Sequence, residues 1–317
     1  MRNRKPPPRR WICLSVLMPE TITCSGLITL AGRPNVGKST LLNRLIGQKI
    51  SVTSSRAQTT RHRLLGIKTT GQAQIIYVDT PGLHAHNKGL FNRHLNRVAG
   101  SSLLGVDCIV LLITSKGWTE ADEYPLRLVS KTGVPVILVI NKIDQLKDRR
   151  LLLPLIAQSN QKMAFKEIVP VSARTGENTH DLENIILKYL PEQPPLYPVD
   201  RISDRGERFL AAELVREQIF RGFQQEVPYA TAVSIDRFER IRQTLHIQAT
   251  IWVERDGQKP ILIGKDGKRL KTVGSRARQA MEKLFDNKVH LRLWVKVREG
   301  WSDNERALRS LGYLDET

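Results

Sequence analysis

The residues Gly32-Arg33-Pro34-Asn35-Val36-Gly37-Lys38-Ser39 fit the pattern G-x-x-x-x-G-K-[ST] of a phosphate-cradling loop. Glycines let backbone N–H groups approach a polyphosphate closely, and the helix that follows adds its positive end. Gly32, Asn35, Val36, Gly37 and Thr40 are therefore candidate phosphate contacts. Lys38 would lie against the outer phosphates, and the Ser39 hydroxyl would ligate Mg²⁺. An apolar run from Leu27 to Ala31 precedes the loop, and Leu41, Leu42, Leu45 and Ile46 follow it at helical spacing. Strand, loop and helix are the context that this chemistry requires.

Further stretches complete a nucleotide site. Asp79-Thr80-Pro81-Gly82 ends an apolar run from Ala73 to Val78; a carboxylate there can hold Mg²⁺ through water, and the Gly82 N–H can meet a γ-phosphate. Ser51 to Arg63 is polar, basic and aperiodic, which predicts a loop that orders on the γ-phosphate; Thr60, ahead of Thr59, is the hydroxyl expected to close on Mg²⁺. Asn141-Lys142-Ile143-Asp144 follows the run Val134 to Ile140 and would choose the base. Asp144 can accept from guanine N1–H and its 2-amino group, donors that adenine lacks, a discrimination on the order of 10⁴. Asn141 would tie this loop to the phosphate loop, and the Lys142 stem would cover the base face. Ser172-Ala173-Arg174 would bring the Ala173 N–H to guanine O6, with Ser172 beside it. The implied ligands are GTP or GDP with Mg²⁺, and the implied catalytic groups are Lys38, Thr60 and Gly82.

A second kind of chemistry lies at Ile263-Gly264-Lys265-Asp266-Gly267-Lys268. A G-x-x-G loop between an apolar residue and a basic helix can clamp the backbone of single-stranded nucleic acid. From Gly264 to Arg278 there are six basic residues, Lys271 among them, against one acidic. The elements around the loop run helix (Glu207 to Phe220), two strands (Thr231 to Glu239, Thr244 to Glu254), G-x-x-G, helix (Leu270 to Phe285), strand (Leu291 to Val297). This is the αββααβ order of a KH fold. The last strand alternates Leu291, Leu293, Val295 and Val297 with basic residues and Trp294.

The chain that positions these loops has 317 residues, enough for two domains, and its 50 Lys+Arg against 31 Asp+Glu give a formal charge of +19. Such a charge favours a polyanionic partner, nucleic acid first and an anionic membrane face second. No apolar run approaches the ~18 residues of a spanning helix. Cys13, Cys24 and Cys108 lack C-x-x-C spacing, which points to thiols in a reducing compartment, the cytoplasm. Residues 1–17, basic and proline-bearing, read as a disordered extension or as sequence upstream of a start at Met18. Residues 18–190 read as a doubly wound α/β domain, closed by Glu167 to Val171 and a helix from Asp181 to Leu190. Residues 191–202 hold the proline-rich linker, and 203–317 the α+β KH domain with its tail.

GRPNVGKSTLLNRL, AQTTRHR, YVDTPGLH, NKID, the GKDG loop and the tail HLRLWVKVREGWSDNERALRSLGY together resemble the bacterial Era GTPases, from about Met18 to the end. The resemblance implies a P-loop GTPase domain joined to a KH domain, acting in small ribosomal subunit assembly. Its partners would be the 30S subunit and the 3′ end of its RNA. Leu83 stands where Ras-like enzymes place a water-orienting Gln, so slow intrinsic hydrolysis is expected, and Asn35 is a candidate to help hold K⁺. The expected protein is a cytoplasmic monomer. The alternative is a regulatory GTPase at the inner face of the cytoplasmic membrane, with RNA binding secondary.

Overall fold

A computed structural model describes residues 22–54, 56, 59–84 and 89–314; Cys13 and residues 1–17 lie outside them. The strands and helices of the first part, in order, are β1 (Cys24–Ala31), α1 (Lys38–Ile46), β2 (Leu64–Thr70), β3 (Ala73–Asp79), α2 (Leu90–Ser101), β4 (Cys108–Thr114), α3 (Glu120–Val129), β5 (Val136–Asn141), α4 (Leu152–Lys162), β6 (Glu167–Pro170) and α5 (Thr179–Leu187). The strands form one sheet in the order β2-β3-β1-β4-β5-β6. All neighbours are parallel except β2, which runs antiparallel to β3 on the edge.

Parallel strands covered on both faces need apolar side chains in both directions, and these have them. Cys108, Val110 and Leu112 of β4 point to one core with Leu41, Leu42 and Leu45 of α1 and Leu182 and Ile186 of α5. Ile109, Leu111 and Ile113 point to the other, with Ala99 of α2, Leu126 and Val129 of α3 and Leu155 of α4. The catalytic loops thus leave the C-terminal ends of β1, β3, β5 and β6, where ligands of open α/β sheets bind.

The second part comprises α6 (Glu207–Gly222), β7 (Thr231–Ile241), β8 (Thr244–Val253), α7 (Gln258–Ile263), α8 (Lys268–Phe285), β9 (Lys288–Val297) and α9 (Glu305–Ser310). Its sheet, β7-β8-β9, packs one face on α6, α7 and α8 through Leu214, Ile219, Leu245, Ile251, Leu262, Ala277 and Met281. The helix after the G-x-x-G loop starts at Lys268, two residues before the expected Leu270, because Gly267 at φ 71° turns the chain directly into it.

The proline-rich connector is laid on the first sheet. Buried Gln74 accepts from the Leu196 and Tyr197 N–H groups, 2.9 Å each, and donates to Tyr197 O at 2.8 Å. Farther along, Ile67 N–H donates to Ile202 O and Leu65 N–H to Asp204 Oδ1, both at 2.9 Å.

The C-terminal tail returns to the first part. Trp301, Ala307, Leu308 and Tyr313 pack with Phe91 and Leu95 of α2 and Ala232 of β7 in a core shared by both parts. Trp301 is fully buried and donates through Nε1 to Ala230 O at 3.2 Å. Trp301→Ala should destabilise this shared core by about 3–5 kcal/mol. Urea unfolding should show an earlier transition, with hydrogen-exchange protection falling first across residues 90–101 and 305–310.

Candidate functional site

The phosphate loop is held open by a tightly bonded frame. Gly37 has φ +107°, and a Cβ there would stand 2.2 Å from Asn141 Nδ2, so no other residue fits. Asn141 is almost wholly buried; its Nδ2 donates to Val36 O at 2.8 Å, while its Oδ1 accepts from the N–H groups of Lys142 (2.7 Å) and Ala173 (3.0 Å). One amide side chain therefore joins the loops after β1, β5 and β6. Lys142 Nζ adds a bond to Asn35 O at 2.6 Å. Within the loop, Arg33 pairs at 2.9 Å with Asp122 of the capping box that starts α3.

Lys38 is buried and donates to Gly32 O (3.0 Å) and Arg33 O (3.1 Å). Burial, with Arg33 adding to it, pushes its ammonium down to about 8 against the attraction of Asp79. Gly82 lies so close to Pro34 that a Cβ would sit 2.7 Å from the Pro34 nitrogen. Its neighbour Leu83 is buried and donates its N–H to Gly32 O at 3.2 Å. Pro34, Asn35, Gly37, Lys38, Ser39, Thr40, Thr60 and Gly82 line one cleft.

At one end of the cleft four oxygen groups converge. Ser39 Oγ lies 2.7 Å from Thr60 Oγ1 and donates to Asp79 Oδ2 at 2.8 Å; Ser51 Oγ donates to the same oxygen at 2.7 Å. Asp79 Oδ1 is buried without a hydrogen-bond partner among the described residues. Burial raises the Asp79 carboxyl above its ordinary range, and the three hydroxyls and Lys38 oppose that shift. Hydroxyls, a carboxylate and an orphaned carboxylate oxygen are what a hard cation such as Mg²⁺ requires, so these residues fit it. Thr60, rather than Thr59, stands beside Ser39; Thr59 Oγ1 donates to Arg56 O at 2.8 Å.

At the base-side loops, Asp144 Oδ1 accepts from Ser172 Oγ at 2.6 Å, and Oδ2 lies 2.7 Å from Arg174. The Ala173 N–H, the group expected to reach guanine O6, donates to Asn141 Oδ1 at 3.0 Å in the turn after β6.

The loop carrying Thr60 is gripped by the second part of the chain, a feature that sequence reasoning missed. Arg216 of α6, 1% exposed, donates to Thr59 O. Arg61, also 1% exposed, donates to Thr231 O (2.6 Å), Tyr229 O (2.9 Å), Pro228 O (3.1 Å) and Tyr313 Oη (3.3 Å). His62 stacks on Tyr313 with ring centroids 4.8 Å apart, and burial drives its imidazole down to about 3. Arg56 reaches Phe223 O, and Lys49 pairs with Glu217.

The G-x-x-G loop lies elsewhere on the second part. Ile263 is half-buried at the end of α7, Gly264 and Gly267 have φ 72° and 71°, and Lys265, Asp266, Lys268 and Lys271 are exposed. A groove continues from Gly267 between α8 and β9, lined by Leu270, Lys271, Gly274, Arg278, Leu291 and Leu293. Lys268 lies 3.5 Å from Asp266, leaving the cations at the groove mouth in the majority.

Comparison with known proteins bears on both sites. The family described as 50S ribosome-binding GTPase matches residues 27–142, and the KH domain family matches residues 226–302. The chain is 51% identical over 300 residues to GTPase Era of Glaesserella parasuis serovar 5, covering 94% of this chain and 100% of that protein. It is 52% identical over 296 residues to GTPase Era of Pseudomonas fluorescens, covering 93% and 99%. Two solved structures each superpose with a TM-score of 0.89 at 42% identity, covering 92% of this chain and 99% of theirs. One is a point variant of Aquifex aeolicus Era bound to GDP and AlF₄⁻. The other is Era in complex with MgGDPNP and nucleotides 1506–1542 of 16S ribosomal RNA.

The depressed Lys38 ammonium, at about 8 against an ordinary 10.5, loses its proton as pH rises through 8. A bound diphosphate would favour the charged form and restore that proton. GDP binding at pH 8.5 should therefore take up protons, measured by calorimetry in buffers of different ionisation enthalpy, and affinity should fall above pH 8. Binding without proton uptake, or the same uptake in Lys38→Met, would contradict this.

Proposed function

Because this chain belongs to the Era family of GTPases, we propose that it hydrolyses GTP as a switch on small-subunit ribosomal RNA, gripping the RNA near its 3′ end through the KH domain during 30S assembly. The observation that carries this reading is the setting of Thr60. Its hydroxyl faces Ser39 and Asp79, while the residues on either side of it are bonded to the KH part. A change at the γ-phosphate would pass through one residue to the RNA-binding unit, making hydrolysis a release timer.

In this assignment the P-loop domain spans residues 18–190, the linker 191–202 and the KH domain 203–317. Ser39, Thr60 and Asp79 would hold Mg²⁺, which when bound neutralises charge on the β- and γ-phosphates. Lys38 would place its ammonium on the same phosphates, and the N–H of Gly82 would donate to the γ-phosphate. The frame around Asn141 keeps the loop from collapsing, and Asp144 would read guanine. Leu83 offers no side chain to orient water, so intrinsic turnover is slow. Asn35, exposed at the lip of the cleft, is the residue we assign to a K⁺ ion that substitutes for an arginine finger's charge.

The site of action is the cytoplasm and the acting species a monomer. An anionic membrane face is a secondary docking place for the net +19 charge, which concentrates at the G-x-x-G helix. In the relative solved with 16S ribosomal RNA nucleotides, the same two domains are present, and this supports RNA as the primary partner.

The deciding measurement is GTP turnover with and without 3′-terminal small-subunit ribosomal RNA. Stimulation should occur in the wild type and vanish in Gly264→Asp/Gly267→Asp together with RNA binding; RNA binding that survives this double change removes the KH assignment. Replacing K⁺ by Na⁺ in the RNA-stimulated reaction should lower kcat at least tenfold, and an unchanged kcat removes the role given to Asn35.

A further inference from the structure

Asp144 is the group to which the proposed function entrusts the choice of guanine, and its carboxylate is held still. Its side chain is 8% exposed. Oδ1 takes the Ser172 hydroxyl at 2.6 Å, and the backbone on either side is tied down, Ile143 N–H donating to Val171 O at 3.3 Å and Gln145 N–H to Lys142 O at 3.0 Å. That leaves Oδ2 as the oxygen with capacity to spare. It is buried, and no donor among the described residues meets it in hydrogen-bond alignment.

The contact Oδ2 does have is an ion pair, with a guanidinium nitrogen of Arg174 standing 2.7 Å away. The partners differ in setting, because the Arg174 side chain is 73% exposed where that of Asp144 is enclosed. The main chain of Arg174, by contrast, is fixed. Arg44 of α1 donates through Nε to Ala173 O at 3.3 Å and through Nη2 to Arg174 O, so the helix after the phosphate loop clasps the turn after β6. An exposed side chain on a fixed root can swing off the carboxylate without moving any backbone. No other acid detains it. Among the described residues Arg174 forms no second ion pair, and Glu177, three positions on, is taken by Arg149 at 3.0 Å.

Guanine and this side chain present the same chemical fragment. In the base one carbon carries N1–H and the 2-amino group side by side; in arginine one carbon carries Nε–H and two NH₂ groups. A carboxylate suited to accept from the first is suited to accept from the second. The two therefore compete for Oδ2, charge favouring the arginine and alignment favouring the base. Solvent around the exposed guanidinium weakens its claim further. Guanine prevails, but by a smaller margin than it would over a buried carboxylate with no partner at all.

We propose that Arg174 is an intramolecular competitor of guanine, which holds Asp144 when no base does and so sets nucleotide affinity below what the base loops alone would give. The inference rests on the reading of Asp144 as the guanine selector. It gives the protein a built-in aid to nucleotide exchange. As the base departs, the guanidinium takes over the carboxylate, and Asp144 is never left as a bare buried charge.

The test measures GDP binding to the full-length protein by calorimetry, in the wild type and in Arg174→Met, which keeps the stem and removes every donor. The variant should bind GDP about fivefold more tightly, the upper end of what a largely exposed ion pair supplies, and should release a fluorescent GDP analogue more slowly. Without nucleotide its amide exchange across residues 142–146 should be faster than in the wild type, and with GDP bound the two should match. A structural role alone would loosen the loop and weaken GDP together. In the Asp144→Asn background, probed with xanthosine diphosphate because a side-chain amide can donate to the 2-oxo group of xanthine, Arg174→Met should change nothing. Unchanged or weaker GDP binding by Arg174→Met overturns the proposal, as does an equal gain in the Asp144→Asn background. Failure of the guanine reading itself looks different: Asp144→Asn would then bind GDP as the wild type does, with no preference for xanthosine diphosphate.

Discussion

The burial of the Arg61 guanidinium is the constraint on which the arrangement of this protein depends. Taking such an ion out of water costs several kcal/mol unless its donors are met. Here three backbone carbonyls and the Tyr313 hydroxyl accept from it, and the rings of Phe91 and Phe220 lie 5.2 and 5.6 Å from its centre. Those groups come from α2, α6, the approach to β7 and the C-terminal tail. No one segment could solvate the ion, so the segments must be together for the loop bearing Thr60 to adopt this path.

The nucleotide side answers with an equally fixed partner. Asn141 holds three loops at a common vertex, and Gly37 must lack a side chain for that vertex to close. Thr60 lies between a rigid phosphate cradle and a buried cation anchored in another domain. A switch needs two stable arrangements with a small gap between them. Among the described residues Arg61 Nε and Asp79 Oδ1 have no hydrogen-bond partner, a residual cost of the present one that separation from the KH part would relieve at the first and a bound cation at the second.

How much of this was legible in the sequence follows from the range of the forces involved. Phosphate, metal and guanine contacts need particular residue types within a few positions, so G-x-x-x-x-G-K-S, D-T-P-G and N-K-I-D declare themselves, as does G-x-x-G once the αββααβ order surrounds it. The antiparallel edge strand β2 and the helices α2 to α4 were not singled out, because nothing chemical marks them. The domain contact was hidden for a different reason. Arg61 and Arg216 are charged, and the expectation for charge is solvent; their acceptors are mostly main-chain carbonyls, which carry no side-chain signal.

The connector held by Gln74 sets a geometric limit on every rearrangement. Its bonds continue through Ile202 and Asp204, with the Arg205 side chain donating to Arg63 O at 2.8 Å, so only Arg205 and Gly206 separate Asp204 from the start of α6 at Glu207. Extended chain reaches at most ~3.6 Å per residue, or about 11 Å over that interval. A KH domain that lets go of Arg61 therefore stays on a leash of that length. It can swivel about the edge of β2, but it cannot diffuse away, and its return is a local search whose rate does not depend on protein concentration.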